Sequence, residues 1–222
     1  MRASYLLLAS SLFFSSCSIG FNSLRVDGNG DEVIESRELV DFYEVACSGS
    51  MDLTVVQGEE FKVTVYGDSN LMDYVETSVR GNRLILSTKD GYSPSPMPSI
   101  EVQMPLCTRV ERVGSGATAL FGLDGGRLSL SLTGSGDLTA EGEMSEVDLS
   151  MTGSGNVDLL ALRAASMTVN KFGSGEASVS VVEQLHCDGA GSGDVVLAGD
   201  PKLSFDFAGS GSLVRISPSI RS

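Results

Sequence analysis

Two groups of polar residues in the 222-residue sequence have the types and the spacing of calcium ligands. In segment 27–38, Asp27, Asn29 and Asp31 take positions 1, 3 and 5 of a twelve-residue calcium loop, and Glu38 takes position 12. Position 6 of such a loop needs glycine for a sharp turn, and here it is Glu32. No amphipathic helices flank the segment. The sequence therefore favours a glycine turn followed by a strand over a calcium site.

The second group recurs in the C-terminal half, directly after each copy of a Gly-Ser-Gly triplet. The residues at this position are Ala117, Asp137, Asn156, Glu176, Asp194 and Ser212, all polar except the first. If the copies stack, these side chains lie about 5 Å apart along one edge, and such a ladder of oxygens can bind Ca²⁺. It can equally be a solvated edge whose charges discourage aggregation. We favour the solvated edge and keep Asp137, Glu176 and Asp194 as calcium candidates.

The serines of the triplets lack the surroundings of a catalytic nucleophile. Such a serine needs a base within hydrogen-bonding distance, and the sequence has a single histidine, His186. The strand-to-helix turn of a Gly-X-Ser-X-Gly nucleophile elbow is missing as well. We expect the serine hydroxyls to bond to the backbone of neighbouring triplets, and we expect no catalytic residues.

Paired carboxylates are another route to catalysis, because glycosidic cleavage uses two acids at a defined separation. Acids are plentiful in the repeats, but the sequence has no tryptophan and all five tyrosines lie outside the repeats. Carbohydrate sites commonly stack sugars on aromatic rings. A carbohydrate-active lyase or hydrolase is therefore kept as an alternative to a non-catalytic protein.

An internal repeat must position the candidate residues of the C-terminal half. Gly-Ser-Gly occurs six times, at intervals of 20, 19, 20, 18 and 18 residues. Apolar and polar residues alternate on both sides of each triplet, which is typical of β-strands. The fourth residue before the triplet is apolar in every copy: Val110, Leu130, Leu149, Val169, Cys187 and Phe205.

The repeat predicts an all-β fold of stacked coils. About 19 residues cannot bury an apolar face alone, whereas stacked coils share one core. We predict a right-handed parallel β-helix, a β-solenoid, with its Gly-Ser-Gly repeats in 107–222. The alternative is a meander of antiparallel hairpins with Gly-Ser-Gly turns. The inward positions match from copy to copy without reversal, which favours the parallel stack.

The first half, 23–106, is less regular, and we expect it to continue the sheet and cap one end of the same solenoid. Residues 23–222 then form a single domain. Segment 47–50, Cys-Ser-Gly-Ser, resembles a degenerate corner ahead of the six triplets, and 70–74 fits one short helical turn. The proline-rich segment 93–98 cannot be a central strand. Strand alternation is found at 53–56, 61–66, 75–79, 83–87 and 100–104.

The N-terminus has the pattern of an export signal. Residues 1–16 combine Arg2 with a short apolar stretch that is too short to span a bilayer. The sequence Phe-Ser-Ser-Cys at 14–17 resembles a bacterial lipoprotein cleavage box. We predict a signal peptide at 1–16, a lipid on Cys17 and a tether at 17–22. A soluble secreted protein with an unmodified Cys17 is the alternative.

The charge and the cysteine content limit the possible partners and the number of disulfides. With 15 basic and 29 acidic residues the formal charge is −14, which argues against nucleic acid as a partner. Beyond Cys17 the cysteines are Cys47, Cys107 and Cys187, so at most one intramolecular disulfide can form. Each lies in or beside a strand-like stretch, and we expect buried thiols.

The order of these features resembles a bacterial family. The resemblance rests on RELVDFYEVACSGSMDLTVVQGEEFKVTVYGDSNLMDYVETSVRGNRLIL, then IEVQMPLCTRVERVGSGATAL, then the serial Gly-Ser-Gly repeats. The family is the putative autotransporter adhesin, head GIN domain family, formerly a domain of unknown function common in exported lipoproteins of Bacteroidetes. The resemblance implies a right-handed β-helix and surface adhesion, and it brings no catalytic residues.

The leading hypothesis is a non-catalytic lipoprotein of the cell envelope that acts as an adhesin or as a surface-binding or scaffold module. The alternatives are the carbohydrate-active enzyme and a structural envelope component without a dedicated ligand. The expected contacts are the membrane, through the lipid anchor, and a surface polymer or protein. We expect no cofactor, with calcium as the one candidate, and placement at the outer membrane, in the periplasm or on the surface.

Overall fold

The computed structural model describes residues 24–216 of the chain. The predicted signal peptide at 1–16 and the tether at 17–22, with Cys17, lie outside the described residues. The described part of the first half contains nine strands and one 3₁₀ helix. They are β1 Leu24–Asp27, β2 Glu32–Arg37, β3 Glu44–Gly49, β4 Asp52–Gln57, β5 Lys62–Asp68, the 3₁₀ helix Ser69–Tyr74, β6 Val75–Arg80, β7 Arg83–Thr88, β8 Tyr92–Ser95 and β9 Ser99–Met104.

The repeats form eight further strands, several of which continue around a bend. They are β10 Arg109–Gly114, β11 Thr118–Gly134, β12 Leu138–Gly153, β13 Val157–Gly173, β14 Ala177–Gly191, β15 Val195–Ala198, β16 Lys202–Gly209 and β17 Leu213–Ile216. All pairs between these strands are parallel. The fold is a β-solenoid of about five turns, as the repeat predicted, and the antiparallel hairpin alternative is wrong.

The Gly-Ser-Gly triplets form corners that stack directly on one another. The first glycine of each triplet has a φ between +118° and +145°, which favours glycine. At Gly153, for example, a Cβ atom would lie 2.1 Å from the carbonyl oxygen of Gly134 in the preceding coil. That oxygen accepts hydrogen bonds from the backbone N–H groups of Ser154 and Gly155, at 2.9 and 3.2 Å. The corners therefore approach more closely than any side chain would allow.

The serines contribute to these corners through their backbone rather than in the way expected from the sequence. The N–H groups of Ser115, Ser135, Ser154, Ser174, Ser192 and Ser210 donate to glycine carbonyls of the preceding corner. The hydroxyl of Ser115 instead donates to the hydroxyl of Ser50, at 3.0 Å. The expected hydroxyl-to-backbone bonds are thus replaced by amide-to-carbonyl bonds, because the glycines bring the two backbones into direct contact.

The inward positions on both sides of each corner form one continuous core. The fourth residue before the triplet is buried in most coils, with Val169 fully buried. The first and third residues of the strand after the corner are buried too, as Leu138 and Leu159 show. Stacked coils thus share an interior that no single repeat could close.

A third inward position, two residues before each triplet, holds two buried cations. Arg112 is fully buried, and its Nη1 and Nη2 donate to Cys47 Sγ at 2.8 Å and to the Gly49 carbonyl at 3.0 Å. Lys171 is fully buried as well, and its Nζ donates to the Gly193 carbonyl at 2.7 Å. Burial lowers the pKa of Lys171. The open carbonyls beneath the glycine corners are what allow a cation to lie inside this core.

The first half caps the solenoid, as expected. Strands β3 and β4 form a coil whose corner stacks on the repeats, with Gly49 in register with Gly114, which confirms the degenerate corner. Strands β7 and β9 pair with this coil on its other side and form the outermost parallel coil. The antiparallel strands β6, β5 and β2 then extend the sheet.

Three details of this cap go beyond the sequence. The outermost coil comes later in the chain than the coil it covers, so chain order and stacking order differ here. Strand β1 precedes the turn and strand expected in segment 27–38, and it pairs with β8 in a separate two-stranded sheet. The proline-rich segment thus contributes a strand outside the main sheet. The helical turn expected at 70–74 is confirmed as the 3₁₀ helix Ser69–Tyr74.

The three cysteines of the described part are free and buried. Burial raises the pKa of Cys107 to about 12 and that of Cys187 to about 11. Burial also raises the pKa of Cys47, which the charge of Arg112 partly opposes. The thiols act as small core side chains, as expected, and the described part of the chain folds without a disulfide.

The corner geometry predicts a strong difference between two glycines. A Cβ atom at Gly155 would lie 1.9 Å from the Gly136 carbonyl oxygen, whereas one at Gly126 would have nothing within 4 Å. We expect Gly155→Ala to lower the free energy of unfolding by about 1–3 kcal/mol or more, since the coils must separate to admit a methyl group. Gly126→Ala should leave it within about 0.5 kcal/mol. Equal urea midpoints for the two variants would contradict the stacked corners.

Candidate functional site

The segment 27–38 comprises the end of β1, the turn at 28–31, strand β2 and Glu38. Asn29 Oδ1 accepts the N–H of Asp31 at 3.1 Å, and Asn29 Nδ2 donates to Ser69 Oγ at 2.9 Å. Asp27 pairs with Arg25 at 2.7 Å. Glu38 follows the end of β2. The expected glycine turn and strand are thus present, and these contacts attach the turn to the 3₁₀ helix.

The residues after the triplets form a ladder that bonds one coil to the next. Asp137 Oδ1 accepts the backbone N–H of Asn156 at 2.8 Å, and Asn156 Oδ1 accepts that of Glu176 at 3.0 Å. Asp194 Oδ1 accepts both the N–H and the hydroxyl of Ser212, at 2.8 and 2.9 Å.

These bonds give the ladder a structural role. The backbone N–H of Ser212 is the main cause of a lowered pKa at Asp194. Short Asp and Asn side chains readily bond to nearby backbone groups, which explains their frequency at this position. Between residues 24 and 216, no group of three or more His, Cys, Asp or Glu residues is placed to hold a metal ion.

The single histidine lies on a strand and pairs with a neighbour on the same face. His186 Nε2 lies 2.9 Å from Asp188 Oδ2, and both side chains are about half exposed. The serine of the same repeat, Ser192, is six residues away along the strand and corner, which is up to about 20 Å. Among residues 24–216, Asp188 is the partner of His186, and no hydrogen bond joins His186 to a Gly-Ser-Gly serine.

A groove runs across the coils at the bend that follows the second strand of each repeat. We call it the lateral groove. It encloses about 610 Å³ and is lined by Leu120, Phe121, Thr139, Ala140, Glu141, Asp158, Leu160, Ala161, Ser180, Ala198 and Ile216. These residues come from six successive coils. At about 4.8 Å between stacked strands, the groove extends over about 24 Å.

The lateral groove forms where the repeat loses its regularity. The register between coils shifts after Leu120, after Thr139 and after Leu159, so the chain bends without the uniform stacking of the glycine corners. Small residues such as Ala161 and Ala198 line the groove at these bends. The variable length of the repeats is therefore concentrated at this edge of the solenoid.

Two large apolar side chains are exposed in the groove. Phe121 is 40% exposed and Leu160 is 39% exposed. Leu160 follows the buried Leu159, and Phe121 follows the buried Leu120. In both strands an apolar residue thus occupies an outward position, where the alternation of apolar and polar residues predicts a polar one. This doubling of apolar residues is the sequence signal that could have located the groove. Because both side chains line the same groove, we take this surface as the candidate binding site.

The charges in the groove are acidic. Glu141 and Asp158 are its two charged lining residues. Asp158 Oδ1 accepts the backbone N–H of Leu160 at 3.0 Å, which fixes the carboxylate beside the exposed leucine. Together with the overall charge of −14, these groups favour a ligand that carries positive charge. No helix of the described residues is long and apolar enough to cross a membrane.

Comparisons with known proteins point to one family and one fold. The family model described as "Putative auto-transporter adhesin, head GIN domain" matches residues 41–201. No curated protein matches the chain. Among solved structures, a putative adhesin from Bacteroides fragilis is 18% identical, with a TM-score of 0.68, and the match covers 86% of this chain and 100% of that one.

A second solved structure is described as a putative lipid binding protein from Parabacteroides distasonis. It is 23% identical, with a TM-score of 0.57, and the match covers 86% of this chain and 99% of that one. At these identities the likeness shows that the fold is shared.

Proposed function

The chain belongs to the family described as putative auto-transporter adhesins with a head GIN domain, and from this premise we propose that it is a non-catalytic binding protein. Its place is the cell surface or envelope, as the family suggests. The observation that carries the proposal is the lateral groove, in which Phe121 and Leu160 expose apolar surface beside two carboxylates.

The shape of the lateral groove favours an extended ligand. A length of about 24 Å matches about seven residues of extended polypeptide, at about 3.3 Å per residue. The stacked corners hold the coils in a fixed register, so a bound segment meets a surface that is already ordered. Preorganisation of this kind reduces the entropy lost on binding.

The chemistry of the groove favours a polypeptide segment with apolar and basic side chains. Phe121, Leu160 and Ile216 offer apolar contacts, and Glu141 and Asp158 offer partners for lysine or arginine. The −14 charge of the chain attracts such a segment from a distance. An adhesin that binds a protein on another surface would use contacts of this kind.

The absence of catalysis is part of the proposal. Glu141 and Asp158 are the pair on which a carbohydrate-active alternative would depend. Asp158 is engaged by the backbone N–H of Leu160, and the residues lining the groove include no histidine, lysine or arginine. These features support binding over acid–base chemistry.

A second candidate ligand is an acyl chain. The apolar side chains of Phe121, Leu160 and Ile216 favour it, and the Parabacteroides distasonis structure of the same fold is named a putative lipid binding protein. A fluorescent fatty acid distinguishes the two ligands, since only an acyl site would bind it with displacement by unlabelled fatty acid.

Selection of a phage-displayed library of 12-residue peptides on the folded protein tests the proposed function. We expect enrichment of sequences that combine apolar and basic residues. The enriched peptides should bind the double variant Phe121→Ser, Leu160→Ser at least about tenfold more weakly, because the buried apolar contact is lost. The matched control is Phe172→Ser, since Phe172 is 52% exposed outside the groove.

Two results would contradict this proposal. One is the absence of any enriched sequence class on the wild-type protein. The other is equal affinity of the enriched peptides for the wild type and for the groove variant, with Phe172→Ser binding as the wild type does.

We further propose that the protein is anchored at the outer membrane through a lipid on Cys17, after removal of residues 1–16. The Phe-Ser-Ser-Cys box at 14–17 supports this. A single acyl chain binds a membrane only weakly, so stable anchoring needs the several acyl chains of a bacterial lipoprotein.

Metabolic labelling with an alkyne fatty acid tests the anchor. The wild type and the control Ser18→Ala should incorporate the label and sediment with membranes, whereas Cys17→Ser should do neither. Labelling of Cys17→Ser at the wild-type level would show that the lipid is elsewhere.

A further inference from the structure

The two ends of the solenoid differ in the strands that form their outer edges. At the first end, the antiparallel strands β6, β5 and β2 extend the outermost parallel coil, and β6 and β2 form the edges. At the other end, β16 pairs only with β14 and β17 pairs only with β15 among the described strands. The outer edges of β16 and β17 therefore present backbone N–H and C=O groups without a strand partner. Such an edge is a template for a further strand.

The core is exposed at this second end. Leu203 is 37% exposed, whereas Leu185, which occupies the same position one coil earlier, is 1% exposed. Phe205 and Phe207 are half-buried and stack on each other with ring centroids 5.6 Å apart. The position of Phe205 is filled by the fully buried Cys187 in the preceding coil. The fourth residue before the triplet, which is buried in the five earlier copies, is thus only half-buried at this end.

We propose that this end is an interface between two copies of the chain, which join end to end by antiparallel pairing of their β16 strands. A two-fold axis between the two Phe205 residues pairs odd-numbered residues of one strand with odd-numbered residues of the other. The inward side chains of both copies then lie on the same face of the joined sheet. In this register, Leu203 lies opposite Phe207 of the second copy, and Phe205 lies opposite its own symmetry mate. The two cores become continuous.

The charges of β16 favour a second copy as the occupant. Lys202 and Asp206 take part in no ion pair within the described part of the chain. In the register centred on Phe205, Lys202 lies opposite Ala208 of the second copy and diagonal to its Asp206. Diagonal neighbours on paired strands are within reach of a long side chain. Symmetry creates this Lys–Asp contact twice.

The interface predicts a closed dimer rather than a filament. Both copies use the same edge, so pairing consumes it, and isologous contacts of this type end at two copies. The opposite end of the solenoid carries antiparallel strands and no matching set of exposed inward residues from a parallel coil. This arrangement leaves both lateral grooves on the outside of the pair.

Light scattering during gel filtration measures the mass of the purified protein and tests the interface. We expect twice the chain mass at micromolar concentrations. Asp206→Lys should shift the mass to that of the monomer, because each Lys202 then lies diagonal to a lysine of the second copy and the two positive charges repel each other. The double variant Lys202→Asp, Asp206→Lys restores opposite charges and should restore the dimer. Asn170→Lys changes the same outward position two coils away and should remain dimeric.

A circular dichroism spectrum equal to that of the wild type and a cooperative urea transition establish that each variant is folded; loss of the dimer itself lowers the urea midpoint. A monomeric wild type would overturn the proposal, and would show that residues beyond 216 or solvent cover this end. A dimer that Asp206→Lys leaves intact, or that the charge swap fails to restore, would overturn it too.

Discussion

The close approach of backbone to backbone at the Gly-Ser-Gly corners is the constraint on which the rest of the structure depends. A carbonyl oxygen of one corner lies where the Cβ atom of the next corner would be, 1.8–2.3 Å away along the six stacked first glycines. The amides of the following serine and glycine bond to that oxygen at several corners. Because only glycine permits this contact, the corners fix the register of every coil, and the register aligns the inward residues into one core.

The same constraint explains where variation is allowed. The corner, the ladder at Asp137 and Asp194 and the inward positions repeat from coil to coil, whereas the bend opposite them shifts register and changes length. Exposed Phe121 and Leu160 lie at this bend. The solenoid thus combines a rigid, repeated edge with a variable edge, and the variable edge is where binding specificity can change without loss of the fold.

The sequence predicts the repeated features well, because alternation and triplet spacing report directly on local backbone geometry. Arg112 and Lys171 could not be placed in this way, since their burial depends on carbonyls that the stacked corners supply. The lateral groove depends on register shifts between coils, which no single repeat displays. The position of the β7 and β9 coil outside β3 and β4 depends on long-range pairing that chain order does not reveal. Lipidation of Cys17 and calcium binding stay predictions.

Amide hydrogen exchange of the corner residues tests the central claim most directly. The N–H groups of Ser154 and Ser174 each donate to a glycine carbonyl of the preceding corner at 2.9 Å. Stacked corners predict that these amides exchange only as fast as the whole domain unfolds, together with the inward strand residues. Exchange of these amides at the rate of an unstructured peptide, while the strands stay protected, would contradict the account.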